Sequence, residues 1–169
     1  MATLTENFNY LQPTSFKLVI DRRNYPNLEF FCQNVTHPGM LLNSVEVPFR
    51  RVAGVPVPGD VLTFNELNTN IILDENLTAY NEMFSWIRRL LETNMGKGGR
   101  GNIQSDVAAP TYADITLSIL SSHNNLTKMV RYIDCIPTSL GDIQFTSTSG
   151  GSEYITFNAS FRFNYFELV

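Results

Sequence analysis

The chain has 169 residues, 43% hydrophobic, 17% charged and 12% aromatic, with a formal net charge of −4. That length fits a single domain, 1–169, with a core of its own; the aromatic content favours β-structure, and the acidic balance argues against a dedicated nucleic-acid binder, whose surface is basic. Cys32 and Cys135 are too few for a disulfide framework, no stretch approaches the roughly 18 apolar residues of a membrane span, and the opening residues lack the basic-then-apolar layout of a signal peptide, so cytoplasmic synthesis is expected.

Residues 1–13 are polar and aperiodic and read as an arm. Phe16, Leu18 and Ile20 alternate through 15–22, a strand. Asn24-Tyr25-Pro26-Asn27 is turn chemistry, and the aromatic-rich stretch 28–36 reads as a second strand in a hairpin with the first. After His37-Pro38-Gly39, residues 42–51 alternate Val45, Val47 and Phe49 with Ser44, Glu46 and Arg50. Pro48 marks an edge or a bulge. Residues 53–59 read as a stiff apolar connector, followed by strands at 61–64 and 67–73.

The period then changes. Leu77, Tyr80, Phe84, Ile87 and Leu91 recur at three and four residues, the stripe of an amphipathic helix. Asp74, Glu75 and Asn76 supply its cap and first-turn charge, and Arg88 and Arg89 its closing cations. Tyr80, Phe84, Ile87 and Leu91 are the expected packing face. Residues 94–109, with Met95-Gly96-Lys97-Gly98-Gly99-Arg100-Gly101, read as a flexible glycine-rich loop. Strands follow at 112–121, with Ile115, Leu117 and Ile119 inward, and at 128–136, ended by Pro137. Residues 140–146 are short and strand-like, and 147–152 form a small-residue loop.

The last segment carries the clearest pattern. Ile155, Phe157, Ala159, Phe161, Phe163 and Tyr165 share one parity; Thr156, Asn158, Ser160, Arg162 and Asn164 share the other. Read as one strand it spans roughly 37 Å, about twice an ordinary strand. Phe157, Phe161 and Phe163 are its expected core residues. A strand this long is hard to pair within one small domain, and unpaired edges point toward assembly.

Catalytic chemistry has little support. The 96–101 segment lacks the preceding strand, the following helix and the Ser or Thr after lysine that a phosphate loop needs. Cys32, His37, His123 and Cys135 lack zinc-ligand spacing. No G-x-S-x-G elbow accompanies the histidines, and no acid pair stands out. No catalytic, cofactor or metal residues are expected. Arg22-Arg23, Arg50-Arg51 and Arg88-Arg89 lie at element ends, as solubilising charges or as partners for carboxylates of a neighbouring subunit.

The order of these elements resembles the tail-tube protein family of contractile-tailed bacteriophages, the T4-like tail tubes. The segments that carry the resemblance are SFKLVID (15–21), FFCQNVTHPG (30–39), VPGDVLTFNEL (57–67), YNEMFSWIRRL (80–90) and ITFNASFRFNYFEL (155–168), while the glycine loop is unmatched. The resemblance implies a mainly β fold, a β-sandwich or open barrel of two packed antiparallel sheets with one flanking helix. It implies hexameric rings stacked into a hollow tube inside a contractile sheath, conducting DNA without sequence-specific binding. The implied partners are the protein itself and sheath, baseplate and tail terminator proteins; the location is the virion tail. The arm and residues 52–59 are expected to meet the next ring, with Arg50, Arg51, Val55, Pro56, Val57 and Pro58 as contact candidates. An acidic lumen, and strands 42–51 and 61–73 among those facing it, are further expectations. Alternatives are a baseplate tube initiator, the tube of a phage-like injection or secretion machine, or, from another class, a monomeric β-sandwich carbohydrate-binding module or hydrolase.

Overall fold

The structure is a computed structural model and describes residues 10–21, 24–49, 53–95, 111–147 and 154–169. The arm up to residue 9, Arg22, Arg23, Arg50, Arg51, the 96–101 glycine loop and residues 148–153 lie outside the described residues. The element order is β1 (Phe16–Ile20), α1 (Pro26–Phe30), β2 (Cys32–Thr36), β3 (Met40–Phe49), β4 (Ala53–Phe64), β5 (Leu67–Ile72), α2 (Thr78–Met95), β6 (Ala113–Leu120), β7 (Leu126–Leu140), β8 (Thr156–Arg162) and β9 (Tyr165–Leu168). Among the described residues the fold is mainly β, with antiparallel pairing throughout and one long helix.

Seven strands form one bent sheet in the order β1-β6-β7-β8-β5-β2, with β9 also on β7. The 15-residue β7 belongs to two half-sheets. Its first part pairs with β6 and β9, and Ile136–Leu140 pairs with β8. The change of partner occurs at Asp134, whose φ of 53° is left-handed. Asp114 Oδ1 accepts from the Asp134 amide at 3.2 Å, and Asn164 Nδ2 donates to Asp134 Oδ2 at 2.9 Å. Side-chain partners thus hold a backbone shape that non-glycine residues seldom adopt.

Alternation places Leu18 and Ile20, Leu67 and Ile71, Ala113, Ile115 and Leu117, and Phe157, Ala159 and Phe161 in one core. Fully burying a side chain such as Leu, Ile or Phe stabilises by roughly 1.5–3 kcal/mol. Phe157 is 1% and Phe161 0% exposed, while Phe163 is partly buried against the same core.

Several expectations are corrected. Residues 26–30 are helical: Pro26 suits the first helical turn, and Glu82 of α2 accepts from the Asn27 and Leu28 amides at 3.2 and 3.3 Å. Consequently β1 and β2 form no hairpin; β1 pairs β6 and β2 pairs β5. The connector 53–59 is strand β4, Pro137 lies inside β7, and 141–146 is not a strand. The C-terminal strand is interrupted at Phe163–Asn164, although β8 and β9 run along the same β7 in continuous register from Ile136↔Arg162 to Ile133↔Tyr165.

The helix is present, but its buried face is turned by one residue from the expected one. Ala79, Met83 and Trp86 are fully buried, whereas Phe84 is 43% and Leu91 55% exposed. Tyr80 and Ile87 flank the buried stripe, partly covered. The helix carries two adjacent apolar stripes, and shape selects between them: Trp86 stacks on Tyr25 at 4.4 Å and donates Nε1–H to the Thr111 carbonyl at 2.9 Å. Asp74 caps the helix, accepting from the Thr78 amide at 2.7 Å.

Candidate assembly surfaces

The largest uncovered feature is the β3–β4 hairpin, a two-stranded sheet that pairs with no other described strand. Its strands are 10 and 12 residues long, so it reaches about 30 Å. Met40, Leu41, Leu42, Val45, Val47, Val55, Val57, Val61 and Leu62 are all between 42% and 70% exposed. An isolated two-stranded hairpin is marginal in water, and a contiguous apolar surface of this kind marks an interaction site.

Register sorts the hairpin's faces. Val45↔Val57 and Val47↔Val55 make an aliphatic face toward the tip. Ser44↔Pro58, Glu46↔Pro56 and Pro48↔Gly54 make the other. A bulge between Leu42 and Ser44 sets Gly59–Val61 against Asn43. A Cβ at Gly59 would lie 2.5 Å from the Asn43 carbonyl oxygen, so no side chain fits there.

The prolines close one edge. Opposed residues of an antiparallel pair either bond each other or turn their amides outward. Proline has no N–H, so the pairs at 44/58, 46/56 and 48/54 are of the outward kind. The free edge of β4 therefore lacks donors at Pro56 and Pro58, which prevents addition of a further strand there. Contact through the valine face remains open.

At its root the hairpin rests on an aromatic pad. Phe64 lies 5.5 Å from Phe163 and 5.4 Å from Phe166 between ring centroids, and Tyr132 lies 5.1 Å from Phe163. The break at Phe163–Asn164 matters here, because residues three apart would face opposite ways on an unbroken strand. His37 adds a hydrogen bond of 2.6 Å between Nδ1 and the Tyr132 hydroxyl, and the Asn65 amide donates to the Gly39 carbonyl at 3.0 Å. Partial burial of His37 holds its pKa below the ordinary value.

Two further surfaces are uncovered. On α2, Phe84 and Leu91 stand outward, with the Arg88 guanidinium 5.5 Å over the Phe84 ring. In the half-sheet β2-β5-β8-β7, the outer edge of β2 and the Ile136–Leu140 stretch of β7 have no strand beside them among the described residues. Among the sequence-predicted contact candidates, Val55 and Val57 are 47% and 42% exposed and Pro56 and Pro58 are also exposed, all on β4. Arg50 and Arg51 lie outside the described residues. Met40, Leu41, Leu42, Val61 and Leu62 were not among those candidates: Met40 and Leu41 precede the expected strand 42–51, and Leu42, Val61 and Leu62 lie in the strands expected to face the lumen.

Reactive chemistry is not assembled among the described residues. No group of three or more His, Cys, Asp or Glu is placed to hold a metal; Cys32, His37, His123 and Cys135 do not meet. Burial pushes the thiols of Cys32 and Cys135 up to about 12, the opposite of an activated nucleophile. No described helix is long and apolar enough to cross a membrane.

A family model described as phage tail tube protein matches residues 4–168. The chain belongs to the phage tail tube protein family. This family is structural and non-enzymatic, and it belongs to the virion tail or a related injection apparatus. The carbohydrate-binding and hydrolase alternative is thereby replaced. The tail tube protein has no match among curated proteins. Its fold is similar to solved subunits of contractile injection machines. One belongs to an extracellular contractile injection system, the PVC sheath–tube complex in the extended state, at 16% identity and TM-score 0.63 over 96% of this chain and 93% of that one. A second comes from the anti-feeding prophage baseplate, 6-fold symmetrised, at 10% identity and TM-score 0.62 over 100% and 97%. A third is from the PVC sheath/tube terminator, at 16% identity and TM-score 0.62 over 96% and 99%.

Proposed function

We propose that this tail tube protein is the repeating subunit of a hollow tube, with six copies closing each ring and rings stacking inside a contractile sheath to conduct DNA. The observation that carries this reading is the β3–β4 hairpin, whose apolar faces are left uncovered among the described residues. The unpaired edges of the β2-β5-β8-β7 half-sheet support it. Joined head to tail, such half-sheets continue from copy to copy and close into a barrel without free edges. A ring of six is in keeping with the 6-fold symmetrised baseplate of the related fold.

In this arrangement Val55 and Val57, flanked by Pro56 and Pro58, meet the next ring, and the partners are sheath, baseplate and terminator proteins. The related folds in a sheath–tube complex, a baseplate and a terminator favour that set. Assembly follows synthesis in the host cytoplasm. The same folds favour a second reading, a baseplate tube initiator or the tube of an injection machine, distinguished by copy number per particle.

Size exclusion followed by negative-stain microscopy tests the reading. Rings or tubes of uniform bore are expected. A compact monomer at all concentrations would overturn it.

A further inference from the structure

His37 stands at the joint where the chain leaves the body and enters the projecting hairpin. β2 ends at Thr36 and β3 begins at Met40, so only His37, Pro38 and Gly39 lie between them. On the return side only Asn65 and Glu66 separate β4 from β5. The Asn65 amide, bonded to the Gly39 carbonyl at 3.0 Å, ties the two joints to each other, and His37 ties them to the body through the Tyr132 hydroxyl at 2.6 Å. The contacts of Phe64 with Phe163 and Phe166 at the same root are apolar, and apolar contact is non-directional.

The His37–Tyr132 hydrogen bond has a defined polarity. Tyr132 is fully buried, and burial raises the pKa of its phenol, which keeps its proton. Among the described residues that hydroxyl has no hydrogen-bond partner but His37. A neutral imidazole satisfies it with the ring proton on Nε2 and with Nδ1 accepting from the hydroxyl. In the imidazolium both ring nitrogens are donors. Nδ1–H then meets the Tyr132 oxygen, and the phenolic proton is left among the rings of Phe163 and Phe166 without an acceptor. His37 is itself partly exposed, so solvent protons reach it.

Among the described residues no charge compensates the cation. His37 meets Tyr132 of β7 and Phe166 of β9, and the adjacent Arg131 and Glu167 pair on the opposite face of those strands. The Cys135 thiol bonds the Tyr132 carbonyl and is held protonated by burial. Glu66, in the second joint, is exposed. Burial, with no charged neighbour contributing, is the cause of the depressed His37 pKa.

We propose that the His37–Tyr132 contact is a pH-sensitive latch: neutral His37 holds the β3–β4 hairpin at the angle that assembly needs, and protonation of His37 frees it while the body stays folded. The inference rests on the tube reading, in which another copy covers that hairpin. A hairpin free to swing must be ordered again before it docks, which weakens association. The subunit therefore assembles at neutral pH and loses that capacity in mild acid.

The test has two readouts. The first is hydrogen exchange by mass spectrometry on unassembled wild-type protein at about pH 7.5 and about pH 5.5, corrected for the intrinsic effect of pH. Peptides covering 40–64 are expected to lose protection at the lower pH, while those covering β5, β6 and β8 keep theirs. His37→Gln, whose amide does not titrate, is expected to show the same hairpin protection at both pH values. Tyr132→Phe, which keeps the buried ring and removes the hydroxyl, is expected to show the loosened hairpin at both. The second readout is tube growth by light scattering. Wild-type growth is expected to fall by up to about tenfold per pH unit below the folded-state pKa, in step with the neutral fraction of His37. His37→Gln is expected to grow at similar rates at both pH values, and His123→Gln, at the other histidine, to keep the wild-type pH dependence.

Equal hairpin protection of wild type at the two pH values would overturn the latch, as would a loss in His37→Gln matching that of wild type. Wild-type behaviour of Tyr132→Phe would overturn the role of the hydroxyl. Exchange needs no assembly, so a pH-dependent hairpin in a protein that forms no tubes at neutral pH would contradict the tube reading and leave the latch standing.

Discussion

His37 Nδ1 and the Tyr132 hydroxyl lie 2.6 Å apart, and this hydrogen bond ties the root of the projecting hairpin to the longest strand of the body. The His37 ring also meets Phe166 edge-on at 5.0 Å. A surface loop residue is thereby joined to the aromatic pad on which Phe64 rests. Because the hairpin pairs with no other strand among the described residues, its angle depends on this root.

That contact is pH-dependent. Desolvation lowers the His37 pKa below 6.5, so the folded state holds the neutral ring more strongly than the unfolded chain does. The unfolded chain then binds more protons, and stability falls as pH drops through and below about 6.5. His37→Gln is expected to lose less stability than wild type between neutral and mildly acidic pH. Urea unfolding of both proteins checks this; equal losses would count against it.

The phase of α2 is open to a direct comparison. Trp86→Ala removes a fully buried ring stacked on Tyr25 and is expected to cost about 3–5 kcal/mol. Phe84→Ala, at a position 43% exposed, is expected to stay within about 1 kcal/mol. Denaturant unfolding followed by circular dichroism measures both, and a larger loss at Phe84 would reverse the assignment.

The hairpin's valine face separates folding from assembly. Val55 and Val57 are exposed in the subunit, so Val55→Asp with Val57→Asp is expected to leave the unfolding midpoint nearly unchanged. Burying those carboxylates against another copy is unfavourable, so tube growth followed by light scattering and microscopy should stop. Growth at the wild-type rate would exclude this face from stacking.

Pro56 and Pro58 are expected to guard the β4 edge. Pro56→Thr with Pro58→Thr restores two outward donors in an apolar strand. Irregular aggregation in place of uniform tubes is the expected result, seen as polydispersity in light scattering. Normal tubes without aggregation would show that the edge needs no such protection.

Much of the fold was legible in the order of residues. Alternation identified β1, β5, β6 and the inward Phe157 and Phe161, because period two on a half-buried strand is a local property. The change to a period near 3.6 identified α2 for the same reason. The candidate surface was legible only in part: Val55, Pro56, Val57 and Pro58 were singled out, but as a connector. Two prolines in five residues argued against a strand, and only pairing with β3 shows that both sit where no donor is required.

What the sequence determined by itself was the β-rich class, the single long helix, the inward parity of most strands and, through the order of its motifs, the resemblance to tail tubes. Tertiary structure decided the rest. Glu82, more than fifty residues away, makes residues 26–30 a helix by capping it. Tyr25 selects which stripe of α2 is buried. The left-handed turn at Asp134, held by Asp114 and Asn164, divides β7 between two half-sheets. The long C-terminal strand divides opposite that turn, so that Phe163 and Phe166 both reach the aromatic pad. Periodicity records which way a side chain points along its own element, whereas partners, helix phase and strand breaks depend on contacts between residues far apart in the chain.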